Sequence, residues 1–212
     1  MPDTLADPLA IDHDVRFRRA YHVTPLHYLP SILADGALFA KDVLASRGIL
    51  PRASAARRDR MLGLGCYVHF SFTPDTPLLR DKLARGYPHV LLVFDARSLI
   101  SLPGSGLLLG NTKAWKSRAC FAPSPIERPT LAGELLVKYA AGLDGLRRIV
   151  FFDSAEREMA ETVLEALGLR PIVPTGLRAA KRPSADPGPT RTYFDACVWA
   201  RAVLKPPRID FD

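Results

Sequence analysis

The run from Phe17 to Gly36 constrains the fold most. Phe17 to Thr24 reads as a short apolar strand ending in His22-Val23-Thr24. Leu26, Leu29, Ile32 and Leu33 then recur at helical spacing, and Gly36 supplies a left-handed stop. Pro30 falls in the first turn of that helix, where its missing N–H costs little. Side chains two apart on a strand share a face, so His22 and Thr24 point the same way beside a turn. Two hydrogen-bonding groups so placed could hold the hydroxyls of a ribose. A buried histidine followed by an ordinary helix start fits the same residues.

Downstream, Cys66 to Phe72 alternates and is aromatic, which predicts a strand. Thr76 to Leu83 predicts a helix and His89 to Phe94 a buried strand. Leu99 to Leu109, broken by Pro103-Gly104, predicts a turn and strand that reverses at Gly110-Asn111. Residues 38–64 carry short helical pieces with Arg47, Arg52, Arg57, Arg58 and Arg60. Residues 112–130 form a polar, proline-bearing loop. Glu134 opens the strand Leu135 to Tyr139, and Arg148 to Phe152 is another strand. Asp153 caps a helix, Glu156 completes a capping box, and Ala155, Met159, Val163 and Leu167 form an apolar stripe that would pack on the sheet. Short strands with scattered helices, without strict alternation, argue for α+β rather than a doubly wound sheet. Residues 1–15 read as a flexible lead-in and 16–212 as a single domain. Within it, 174–190 is a mobile Pro/Gly-rich segment, and Tyr193 to Leu204 is apolar enough to dock back. Gly104-Ser105-Gly106 with Gly110 lacks the spacing and the following helix of a dinucleotide loop.

A chain of 212 residues, 48% of them hydrophobic, can bury one full core. Its net charge of +7 favours an anionic partner such as nucleic acid or a pyrophosphate. Cys66, Cys120 and Cys197 are too few and too far apart for a disulfide framework or a metal pattern, which fits a reducing compartment. The N-terminus has no signal-peptide pattern, and no apolar run reaches the ~20 residues that a membrane helix needs. A cytoplasmic protein is expected, with no membrane attachment.

Three groups of residues point to chemistry. A carboxylate opening an apolar strand, as Glu134 does, is costly unless it has a partner or a task. The cluster Arg57-Arg58-Asp59-Arg60 offers guanidinium groups that stay charged and grip phosphate with two bonds. Lys113, Trp115, Lys116 and Arg118 interleave cations with an aromatic, as single-strand binding surfaces do.

In their order along the chain, these segments resemble the DarT family of NAD-dependent DNA ADP-ribosyltransferase toxins. The family shows a His-x-Thr strand, a helix ending in Gly, an Arg-rich helix, a Tyr-Val-Pro-Phe-Tyr-Phe strand and a Glu-Phe-Leu-Val strand. Here these are His22-Val23-Thr24, the helix to Gly36, Arg57 to Arg60, Tyr67-Val68-His69-Phe70-Ser71-Phe72 and Glu134-Leu135-Leu136-Val137. The likeness covers roughly residues 20–178. It implies an ADP-ribosyltransferase-like fold, with two small, mostly antiparallel sheets framing an NAD cleft and peripheral helices. It also implies NAD as co-substrate without a metal, a base of single-stranded DNA as target, and a role as a toxin in a toxin–antitoxin or phage-defence system. An antitoxin partner would remove the modification.

By the same resemblance, Glu134 and Arg58 are catalytic, and His22, Thr24, Arg58, Tyr67 and Phe70 contact the cofactor. Lys113, Trp115, Lys116 and Arg118 would meet the substrate. The sequence departs from the family at Tyr28, where Asn is usual, at His69 in place of Pro, and at Ser71 in place of Tyr. The element between Asn111 and Glu134 is shorter than in the family, and Ala132 rules out the paired-acid signature of arginine-modifying relatives. Rival readings are an NAD-dependent RNA 2′-phosphotransferase, an RNA- or protein-directed ADP-ribosyltransferase, and a non-catalytic nucleic-acid-binding module on the same fold.

Overall fold

A computed structural model describes residues 13–49, 59, 62–108, 130–168 and 194–196. Its strands form a large sheet of seven and a small sheet of two, with short helices intervening along the chain. The described strand registers are antiparallel. The architecture is α+β, as the pattern of short strands predicts. The chain packs as two compact units.

The first unit comprises Met1–His22, Ala37–Pro74 and Phe94–Gly145. In it, β3 (Tyr67–Ser71) lies between β6 (Glu134–Lys138) and the start of β1 (Arg19–Pro25), and β5 (Gly106–Leu108) pairs with the other edge of β6. The β3–β6 register sets Ser71 opposite Glu134, His69 opposite Leu136 and Tyr67 opposite Lys138. Leu135, Leu136 and Val137 are fully buried between half-buried ends, so this strand is fixed by its middle and displays its polar termini. Each such side chain contributes about 1.5–3 kcal/mol on burial. The Phe70 and Phe94 rings meet edge to face at 5.2 Å, and Phe17 meets Phe72 at 4.8 Å. Leu64, Tyr67, Leu108 and Leu136 form a further apolar cluster.

The small sheet pairs β2 (Ala37–Phe39) with β7 (Ala140–Gly142), and α2 (Lys41–Ser46) follows β2. Tyr139 carries the chain from β6 into β7 at φ 63°, a left-handed conformation uncommon outside glycine. Its N–H donates to the Cys66 carbonyl at 2.7 Å, and its carbonyl accepts from the Ala40 N–H at 2.7 Å. Both backbone groups are satisfied, which holds the reversal in place.

The second unit comprises Val23–Gly36, Asp75–Val93 and Leu146–Asp212. Here α1 (Leu29–Asp35) buries Leu29 and Leu33 and stops at Gly36, φ 66°, as the sequence predicts. The Thr76 hydroxyl accepts from the Leu79 N–H at 3.1 Å and starts α3 (Pro77–Ala84). Strand β4 (His89–Asp95) is buried from His89 to Phe94, hence on both faces. Strand β8 (Leu146–Phe151) pairs with β9 (Phe194–Ala196). Asp153 caps α5 (Ser154–Ala166) by accepting from the Ala155 N–H at 2.7 Å.

Some local expectations give way. The stretch after β4 begins with a helix, α4 (Ala96–Ile100), started by the Asp95 carboxylate accepting from the Arg97 N–H at 3.2 Å. In α5 the bulky stripe faces outward. Met159 and Leu167 are more than half exposed, Val163 and Ala155 are exposed too, and Ala160 and Leu164 are buried instead. The capping box is half formed: Asp153 caps, while Glu156 Oε2 is buried without a hydrogen-bond partner among the described residues. Burial raises the Glu156 pKa above the ordinary value, and the neighbouring Asp153 charge adds to the effect.

Candidate active site

Three polar side chains of the first unit converge around β3. Because His69 and Ser71 alternate along β3, both share a face with Glu134, which stands opposite Ser71 and diagonal to His69. The consequence is a direct contact: His69 Nδ1 lies 2.9 Å from Glu134 Oε2, each side chain 20% exposed. The other ring nitrogen of His69, Nε2, faces the Leu64 carbonyl at 3.4 Å. Among the described residues Glu134 Oε1 has no partner. Glu134 follows directly on a turn closed by the Gly133 N–H to the Thr130 carbonyl at 2.9 Å. That turn sets the carboxylate at the very start of the strand.

His22 joins the group from β1. Tyr21 is opposite Ser71, and alternation from Ser71 turns the His69 carbonyl toward β1 as well. There it accepts from His22 Nδ1 at 2.9 Å. A carbonyl only accepts, so the proton is on His22 Nδ1 and Nε2 is left as a bare acceptor. The ring also packs against Phe70, centroids 5.6 Å apart. Desolvation pushes the His22 pKa down to about 4, outweighing the bond to the His69 carbonyl, which pulls it up, and the Lys41 charge adds to the lowering. His22 is therefore a neutral imidazole at ordinary pH. Lys41, at the start of α2, is ion-paired with Asp59, whose side chain is 3% exposed. The pair brings a cation near His22 and neutralises a buried carboxylate.

His69 thus touches Glu134 with its side chain and His22 with its backbone carbonyl, and Phe70 packs against the His22 ring. Thr24 follows on β1 in the second unit and is 5% exposed. Tyr67 and Phe70 are at most 1% exposed, Tyr67 within its apolar cluster and Phe70 against Phe94 and His22. Neither ring presents a free face. Arg58, Lys113, Trp115, Lys116 and Arg118 lie outside the described residues, as do Gly110-Asn111 and the segment 174–190. Sequence reasoning missed His69, which it registered only as a departure from a motif. Its phase with Ser71 along β3 is visible in the sequence, but the strand opposite is not. Lys41 and Asp59 were missed too, because a surface-type lysine gives no sign of a buried partner 18 residues on.

Among the described residues, no His, Cys, Asp or Glu group is arranged to hold a metal ion, and no helix is long and apolar enough to cross a membrane. Among the described residues, the site offers a carboxylate with one open oxygen and an imidazole with one open acceptor. Both suit hydroxyl donors such as those of a ribose.

No protein-family model matches the chain, and no curated protein matches it in sequence. Solved structures do match. DarT from Thermus sp. 2.9 in complex with ADP-ribosylated ssDNA aligns with a TM-score of 0.53 at 17% identity, over 73% of this chain and 90% of that one. The same protein in complex with NAD+ aligns with a TM-score of 0.51 at 19% identity, over 72% and 90%. Thermosipho africanus DarTG in complex with ADP-ribose aligns with a TM-score of 0.53 at 13% identity, over 70% of this chain and 48% of that one. At such identities the likeness is one of fold, and the chain has the fold of these DarT structures.

Proposed function

We propose that this chain is an NAD-dependent ADP-ribosyltransferase that modifies a base of single-stranded DNA. It would act in the cytoplasm as a DarT-like toxin whose mark an antitoxin partner removes. The observation that carries the reading is Glu134: a half-buried carboxylate at the head of β6, gripped at Oε2 and, among the described residues, open at Oε1. Support comes from the shared fold, since the solved DarT structures contain NAD+ and ADP-ribosylated ssDNA. The run of matching motifs along the sequence points the same way.

NAD supplies the ADP-ribosyl group, and positive charge develops on its anomeric carbon as the bond to nicotinamide breaks. A fixed negative charge beside that carbon lowers the barrier most where water is excluded. Glu134 fills this role by accepting a hydrogen bond from a ribose hydroxyl through Oε1, which holds the ribose and keeps the carboxylate next to the developing charge. His22 Nε2 accepts a second hydroxyl, and Thr24 is assigned to the same strand contact. Arg58 holds a phosphate or stabilises the target base as it loses a proton. Tyr67 and Phe70 back the cofactor site from the core. Lys113, Trp115, Lys116 and Arg118 receive the strand. No step calls for a metal.

Labelled NAD incubated separately with single-stranded DNA, RNA and a protein lysate tests this reading. Label is expected on the DNA, and none where Glu134→Gln replaces the wild type. Label on protein alone, or on RNA alone, would replace the proposed target. Release of an RNA 2′-phosphate would replace the reaction.

A further inference from the structure

Glu134 is useful only if its carboxylate is ionised and aimed. A glutamate has three side-chain torsions, and the Glu134 side chain, at the start of a strand and 20% exposed, would be free to wander unless something holds it. His69 holds it. The contact at 2.9 Å joins a nitrogen to a group that, when ionised, can only accept, so Nδ1 carries a proton and donates it. The Leu64 carbonyl at 3.4 Å from Nε2 flanks the far side of the ring, and the backbone carbonyl of His69 is itself tied to His22 Nδ1. One residue therefore touches both groups assigned to the ribose, Glu134 with its side chain and His22 with its backbone.

We propose that His69 is the positioning residue of this site: it fixes the Glu134 carboxylate through Oε2 and thereby presents Oε1 to the substrate hydroxyl. The inference rests on the reading of Glu134 given above. His69 touches no reacting atom in this account. Its effect runs through the aim of the carboxylate, and a displacement of about 1 Å at a reacting group costs on the order of 100-fold in rate. A merely structural histidine would give a different pattern, since its loss would lower stability without separating turnover from affinity.

Three replacements distinguish the roles, assayed as the full chain with NAD and a single-stranded oligonucleotide. The amide nitrogen of Asn reaches the place of Nδ1, that of Gln reaches the place of Nε2, and Phe keeps the ring without either donor. His69→Phe and His69→Gln are expected to lower kcat about 10- to 100-fold while KM for NAD changes less than about 3-fold. His69→Asn is expected to stay within about 5-fold of wild type, because it keeps the donor to Glu134. Nitrogen NMR of the imidazole is expected to show Nδ1 protonated and hydrogen-bonded in the wild type, with that bond weakened in Glu134→Gln. If Phe fails to fold, the contrast between Asn and Gln decides. Equal turnover of Asn and Gln, or a wild-type kcat in His69→Phe while Glu134→Gln is inactive, overturns the role of His69 alone. Wild-type turnover in Glu134→Gln overturns the reading of Glu134 and this inference with it.

Discussion

His22 Nδ1 donates to the backbone carbonyl of His69 at 2.9 Å, so a side chain of β1 occupies a carbonyl of β3. The bond fixes the tautomer, and desolvation keeps the ring neutral down to about pH 4. In the unfolded chain the same ring protonates near its ordinary value of 6.5. The unfolded state therefore binds the extra proton between those values. The resulting stability is fully present above about pH 6.5 and is lost as pH falls from there through about 4.

The first prediction follows from that sign. Urea midpoints of the wild type should fall between pH 7 and pH 4.5 more steeply than those of His22→Phe, which has no imidazole to protonate. Parallel profiles would show that His22 is solvated and titrates normally.

Lys41 and Asp59 give the second. Asp59 is 2% exposed, so Lys41→Met leaves a buried carboxylate without its cation, which costs about 3–5 kcal/mol. Replacing both, as Lys41→Met with Asp59→Leu, should recover most of the loss, because no uncompensated charge then remains. Urea denaturation of the two singles and the double measures it. An additive double mutant would mean that the two charges do not depend on each other.

The parts of the fold legible in the sequence are those decided locally. Gly36, Thr76 and Asp153 mark helix ends because a left-handed stop or a side-chain cap needs only its own neighbours. Strand β4 announced itself by a continuous apolar run, and β3 by alternation. The strands β2 and β7, three residues each, and the five-residue α4 are too short to show a period. In α5 the sequence offers two stripes one residue apart, and the bulkier one, through Met159, Val163 and Leu167, faces solvent. Apolar spacing alone does not say which phase finds a neighbour. Of the candidate site, Glu134 and His22 stood out as polar groups on apolar strands. The His69–Glu134 contact did not, because it depends on a register between residues 65 apart.

Gly145 supplies the third prediction. A Cβ there would fall 1.8 Å from Ser98 Oγ and 2.8 Å from Ser98 Cβ. Ser98 Oγ is committed to the Asp95 carbonyl at 2.7 Å and has reason to stay. Gly145→Ala should cost about 1–3 kcal/mol through overpacking, and adding Ser98→Gly should relieve most of it. A thermal melt in which Gly145→Ala matches the wild type would refute the close approach.

The fourth concerns Lys113, Lys116 and Arg118. If these three meet phosphates of a single strand, each contact releases a counterion, with a slope of log affinity against log salt of about −0.7 apiece and roughly −2 together. Neutralising all three should flatten the salt dependence. Trp115→Ala should weaken binding at every salt concentration and leave the slope alone, since stacking is nearly salt-independent. A triple variant with an unchanged slope would place the phosphate contacts elsewhere.

The most direct measurement is the mass of a single-stranded DNA oligonucleotide after incubation with NAD and the protein, wild type against Glu134→Gln. The amide keeps the size of the side chain and removes the charge that the mechanism requires. The oligonucleotide is expected to be heavier by one ADP-ribosyl group with the wild type and unmodified with a Glu134→Gln protein of unchanged thermal stability. Equal modification by both proteins would remove Glu134 from the mechanism.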